Sequence, residues 1–367
     1  MKTRWLILLA LLAPTAALAD DFPLPQLDLD TWKPLGYACG RAEQPPVIDG
    51  RLDDAAWGRS EWTPDFVDIR GGSAPTPRHR TRVKMLWDDD YLYIGADLEE
   101  PHLWATLTQR DAVIYHDNDF ELFIDPDGDT HDYYELEINA LGTVWDLLLT
   151  APYRDGGHAV DSWDIAGLKS AVHLDGTLND PSDTDRGWSV ELALPWTVLE
   201  ECAAHDGPPE PVRETWRVNF SRVQWQLDVV DGAYRKRIDA ETGRTLPEDN
   251  WVWSPQGLVA MHYPEMWGFV HFGGEESGGF VFRETLSRFR RFYYAQKRYY
   301  AQTERYARDL DELAVRVPVS EAWRSFSLDV SPIGYSASGY DASTNRYGFI
   351  DDSGCERTHP GKPRSFY

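Results

Sequence analysis

The sequence predicts a mainly β protein: an antiparallel β-sandwich of jelly-roll type, followed by a long C-terminal helix and a small β element. Three observations carry this expectation. Between residues 46 and 272, short runs rich in Val, Ile, Leu, Phe, Tyr and Trp are cut by Asp, Gly, Pro and Asn, the pattern of strands joined by tight turns. No helical periodicity alternates with those runs, which excludes a βαβ architecture. Composition then changes near residue 273. Gly273-Gly274 and Gly278-Gly279 make a linker ahead of a breaker-poor segment, residues 283–314, whose aromatic and Leu residues follow a helical spacing.

Taken in order, Lys2 and Arg4 flank the start of an apolar stretch that ends at Leu12, and Ala17-Leu18-Ala19 supplies small residues for cleavage. Residues 1–19 therefore read as a secretory signal peptide. That run is too short to span a bilayer and no other segment is a candidate, so the mature chain is expected to be exported, to periplasm or medium, without a membrane span. Residues 20–45 form a Pro-rich strap (Pro23, Pro25, Pro34, Pro45). The sandwich occupies residues 46–272, with strands expected at 81–87, 91–98, 120–125, 133–139, 143–150, 168–174, 188–194, 216–223, 251–253 and 268–272. Asp88-Asp89-Asp90 and Pro126-Asp127-Gly128 mark turns, and Pro195 opens one helical turn. Residues 273–367 hold the 283–314 helix and two or three short strands beyond 323.

The formal net charge is −25. Such a chain repels phosphates, which argues against a nucleic-acid partner. Cys39, Cys202 and Cys355 are too few for a disulfide-built scaffold; they allow one pair and contain no CxxC zinc spacing. No histidine falls in an HxH or HExxH pattern, and no serine sits in GxSxG.

The chemistry concentrates where Asp119 and Glu121 stand among Phe120, Leu122, Phe123 and Ile124. A charge in such a run must be paired or face a ligand. This segment, Asp117 through Asp125, is one of four ordered landmarks. The others are Pro46-Val47-Ile48-Asp49-Gly50 with Trp57, the run from Val83 to Ile94 with its Trp87-Asp88 turn, and Trp253-Ser254 followed by Trp267-Gly268-Phe269. Together they resemble the family 9 carbohydrate-binding modules over residues 46–272.

The resemblance implies a sandwich in which two aromatic rings clamp a sugar and polar side chains take its hydroxyls. The family's first clamp ring, six residues before the strand glutamate, falls on Tyr115, and the glutamate on Glu121. The family's sugar-binding arginine falls on Glu137, its asparagine near Leu258 and its second clamp tryptophan near Met261. Tyr263, Trp251 and Trp253 are the candidates for the replacement ring.

Asp125, Asp127 and Asp129 share one turn and suit a structural Ca2+, which the resemblance also implies; plain turn chemistry is the alternative. Glu135 and Glu137 share one strand face, whereas glycoside hydrolysis needs two carboxylates across a cleft. Between residues 283 and 308 eight Lys or Arg stand against Glu284 and Glu304, so this helix is expected to dock on the acidic sandwich or on a second copy of the chain. The sequence points to an exported, non-catalytic protein that binds a glycan or oligosaccharide. A structural or assembly protein on the same scaffold, or an accessory to glycoside hydrolysis, is the alternative.

Overall fold

The computed structural model describes residues 22–27, 32–72, 74–203, 215–272, 287–341 and 345–360. The expected signal peptide and glycine linker lie outside them. Thirteen strands make one sheet that curls back on itself. One wall runs Ala159–Val160, Val144–Leu149, Tyr133–Asn139, Asp119–Asp125, Thr215–Gln224, Gly268–Phe272. The other runs Thr81–Trp87, Tyr91–Glu99, Gly187–Pro195, Lys169–Asp175. Alternation supplies the core: Phe120, Leu122, Ile124, Leu136 and Ile138 of the first wall meet Val83, Met85, Ile94, Val190 and Leu192 of the second. Each side chain so buried contributes about 2 kcal/mol relative to exposure.

The strand Gly36–Arg41 joins the walls, pairing with Gly268–Phe272 by its first half and with Thr81–Trp87 by its end. Both pairings are parallel, so the sheet is not wholly antiparallel as expected. No proline falls between Pro34 and Pro45, which leaves the amides of Gly36–Arg41 free to join a ladder. A hairpin not anticipated from sequence, Leu227–Val230 with Ala233–Lys236, turns at Asp231-Gly232 with φ of 52° and 76°, the left-handed pair that a two-residue hairpin loop requires.

The single helix expected over 283–314 is two helices, Arg288–Thr303 and Leu310–Ala314. Glu304 ends the first in the left-handed region, and Asp309 starts the second by accepting from the Glu312 amide. Buried Gln296 fixes the bend. Its side-chain amide donates to Ala307 O (3.0 Å) and accepts from Ala307 N (2.9 Å), as a backbone partner would. Four strands follow in an antiparallel sheet, Ser327–Val330, Tyr335–Asp341, Arg346–Asp351 and Glu356–Pro360.

The aromatic face of the Arg288–Thr303 helix is occupied within the chain, not held out for a second copy. Phe289, Phe292, Tyr293, Tyr294 and Tyr299 share a core with Tyr263, Met266, Tyr335 and Ile350, and Phe22, Leu24 and Leu27 of the strap cover it. No helix among the described residues is long and apolar enough to cross a membrane.

A buried polar network ties this helix to the sandwich. Arg154 donates to Glu265 (2.9 Å) and Asp155 (3.1 Å). Tyr294 donates to the other oxygen of Glu265 (2.5 Å), Tyr293 to Asp155 (2.5 Å), and Lys297 pairs with Asp155 at 2.9 Å. Burial alone pushes the Glu265 carboxyl up, but Arg154, Arg290 and the Tyr294 hydroxyl bring it down to about 2. A carboxylate depressed in the folded state contributes stability that is complete above its unfolded pKa and disappears as pH falls through the folded one. Lowering pH from 5 to 2 is therefore expected to remove about 3 kcal/mol through this group, read as a fall in the urea midpoint that Glu265→Gln abolishes.

Candidate functional site

On the strands Asp119–Asp125 and Tyr133–Asn139 every second residue turns away from the main core. The face they make has two halves. Phe123, Tyr133, Leu147, Met261 and Trp267 form an apolar floor. Beside it lie four buried carboxylates, Asp119, Glu121, Glu135 and Glu137. Strand register sets Glu121 directly across from Glu137 on one side and from Ser221 on the other.

The carboxylates have few partners. Glu137 accepts from the Tyr115 amide (2.8 Å) and Asp119 from the Val223 amide (3.1 Å). Oδ2 of Asp119 and Oε2 of Glu121 have no hydrogen-bond partner. Arg110, the guanidinium nearest in sequence, pairs instead with Asp146 and Asp164. Burial, and then mutual repulsion, raises Asp119, Glu135 and Glu137 well above the ordinary carboxylate range. Burial likewise pushes Glu121 up to about 7.

Tyr115 is 38% exposed at the rim of this strip, its carbonyl held by the Trp225 indole N–H (2.9 Å). Burial and then Glu137, Glu248 and Glu121 raise its hydroxyl pKa, which places it beside the carboxylates. A second ring, absent from the sequence expectation, stands on the same face. Tyr153 is 51% exposed and meets the edge of His262 at 4.5 Å. Its hydroxyl is pushed up to about 12 by burial, then by Glu135, Asp161, Glu137 and Tyr115, so both tyrosines lie near Glu137. His262 is bonded to the Tyr133 hydroxyl (2.9 Å), and burial with nearby Arg154 lowers it to about 4, so it is a neutral wall.

Of the residues expected to bind sugar, Tyr115 and Glu121 are brought together and the other two are not. Trp253 is 1% exposed and lies in the main core. Its ring lies so close to Gly268 that a Cβ there would fall 2.5 Å from Cζ3. Trp251 is buried in the same core. Tyr263 lies in the seam with the C-terminal region, under the Arg154 guanidinium (4.0 Å), donating to Pro23 O (2.9 Å). Neither Trp253 nor Tyr263 offers a face to a ligand. Tyr153 was hidden because spacing ties only Tyr115 to Glu121; Pro152-Tyr153 in a loop after a strand was its one signal.

The Asp125, Asp127 and Asp129 turn is closed by its own amides. Asp125 accepts from Gly128 and Thr130, Asp127 from Asp129, and Asp129 from His131. Asp129 also meets Cys355 (3.2 Å) and Arg357 (3.3 Å), and Arg217 acts on Asp125. Arg357 and Arg217 thus supply positive charge to the carboxylates of this turn. All three cysteines are unpaired.

Residues 48–207 match the family model described as carbohydrate family 9 binding domain-like. The chain thus has a family 9-like segment at residues 48–207, less than half of its length. It is similar to exoglucanase XynX of Acetivibrio thermocellus, 28% identical over 154 residues, 42% of this chain and 12% of that protein. It is similar also to endo-1,4-beta-xylanase A of Thermoanaerobacterium saccharolyticum, 29% identical over 154 residues, 42% of this chain and 11% of that protein. A family 9 module of Caldicellulosiruptor kristjanssonii solved with cellotriose aligns over 67% of this chain and 97% of its own, with 17% identity and a TM-score of 0.40.

Proposed function

We propose that this is an exported glycan-binding protein without catalytic activity, and that the saccharide lies between Tyr115 and Tyr153. The observation that carries the reading is the pair of exposed tyrosine rings flanking carboxylates on the outer face of a family 9-like domain. A pyranose presents C–H groups to such rings and hydroxyls to the acceptors between them. The carboxylates support binding over hydrolysis. Glu121 and Glu137 sit side by side on neighbouring strands, 4% and 2% exposed, whereas a glycosidase sets its pair on opposite sides of the scissile bond.

The names of the relatives make glucan and xylan the first ligands to try. Affinity electrophoresis in gels containing each polysaccharide is expected to retard the wild-type protein. Tyr115→Ala and Tyr153→Ala should each weaken binding about tenfold, a loss of about 1.4 kcal/mol per ring, with the melting temperature unchanged. Wild-type protein that is not retarded by any of a broad panel of glycans would falsify the reading.

A further inference from the structure

We propose that Asp119, Glu121 and Glu137 hold a divalent cation of the calcium type, directly beneath the Tyr115 rim. One oxygen from each of the three lies within 4.8 Å of the others. Oxygens on a calcium sphere, at about 2.3–2.6 Å from the ion, are separated by at most about 5 Å, so the spacing is that of a coordination shell. All three side chains are buried, and among the described residues no Lys, Arg or His nitrogen makes an ion pair with any of them. Carboxylates taken out of water and set against one another need a proton or a counter-charge, and a cation supplies the latter to all three at once.

A residue outside the acidic group points to the same place. Ser221 is the cross-strand neighbour of Glu121 and so shares its face. It is fully buried, its hydroxyl makes no hydrogen bond of good geometry, and it lies close enough to Glu121 to hold that carboxyl's pKa down against burial. Most buried side-chain polar atoms have a well-made partner; a hydroxyl set against Glu121 without one is in place to serve as the fourth oxygen of a hard-cation shell.

The backbone also prepares the oxygens. The Val223 amide fixes one oxygen of Asp119 and the Tyr115 amide one of Glu137, leaving Oδ2 of Asp119 and Oε2 of Glu121 without partners. An all-oxygen set without nitrogen or sulfur selects Ca2+ over zinc. The amide that orients Glu137 belongs to Tyr115, so an ion here also fixes the rim ring.

The test is calorimetric titration of the full mature chain, stripped with chelator, using CaCl2 alone and no glycan. The ion site therefore stands or fails independently of saccharide binding. One site is expected, with the melting temperature rising by several degrees at about 100-fold excess over Kd. Asp119→Asn and Glu137→Gln should each weaken Kd at least about tenfold. Glu121→Gln relieves repulsion in the ion-free protein, so it should fold, melt higher without calcium and lose the calcium-dependent rise. Absence of heat and of any melting shift in wild-type protein at about millimolar Ca2+ overturns the proposal. So does binding that survives Asp119→Asn and Glu121→Gln but is lost in Asp127→Asn, which places the ion in the turn.

Discussion

Arg154→Met is expected to destabilise the protein by about 4 kcal/mol, because it leaves Glu265 and Asp155 buried with half their neutralising charge gone. The Arg154 side chain is 7% exposed, and its partners are 3% and 0% exposed, so water cannot replace the guanidinium cheaply. Methionine keeps the length and the apolar stem, which isolates the charge. Lys297 still pairs with Asp155, and Arg290 acts on Glu265 only from a distance, so Glu265 is the group that loses its ion pair. Adding Glu265→Gln should then restore about 2 kcal/mol, whereas Glu265→Gln alone should destabilise, and that change of sign marks a coupled pair. Urea unfolding of the four proteins measures it. If Arg154→Met shifts the midpoint no more than an exposed arginine substitution does, the seam is held by the aromatic core alone. Tyr153 and Arg154 share one short 3-10 turn, so loosening the seam should also weaken whatever binds at Tyr153.

Much of the sandwich was legible because its two-residue alternation is strong. Tyr133–Asn139 and Gly268–Phe272 fall where the pattern put them, and each packs one face against a large core. Gly36–Arg41 was not legible because its partners lie near residues 86 and 269, and no local signal reports a parallel pairing at such separation. The 283–314 segment misled because helical spacing continues through Glu304, while the break is imposed by Gln296 gripping Ala307 across the bend.

At the site the sequence located the acidic strand and Tyr115 but misread which aromatic rings are free. A tryptophan in a strand looks the same whether its face is open or pressed against a glycine, as Trp253 is against Gly268. The carboxylate cluster was half visible. Glu135 and Glu137 share a face by simple alternation, but their convergence with Asp119 and Glu121 depends on strand register, which spacing alone does not supply.

The other large effect is expected at Glu191, which explains the opening landmark of the domain. Residues 47–57 have little regular structure of their own; the Gly187–Pro195 strand holds them through the Glu191 carboxylate and through the Ser189 hydroxyl, which donates to Gly50 O (2.6 Å). Glu191 accepts from the amides of Asp49 (2.9 Å) and Gly50 (2.8 Å) with one oxygen and from the Trp57 indole N–H (2.7 Å) with the other. Gly50 must be glycine: its φ is +88° and a Cβ would fall 2.5 Å from the backbone at Val172 and His173. Glu191→Ala strands the Gly50 amide and the Trp57 indole N–H at buried positions and frees the Asp49 amide at a half-buried one, and should cost about 4 kcal/mol. Glu191→Gln keeps one oxygen but turns the other acceptor into a donor. It should cost about 2 kcal/mol if the carbonyl faces the two amides, because only the indole bond is then broken. In that case Trp57→Phe should cost far less in the Gln background than in wild type, since the indole N–H there has no acceptor left to lose. Additive costs in that cycle, read from urea midpoints, would show that the indole bond is not what holds the segment and that packing of Trp57 against Leu86 and Ala193 holds it instead.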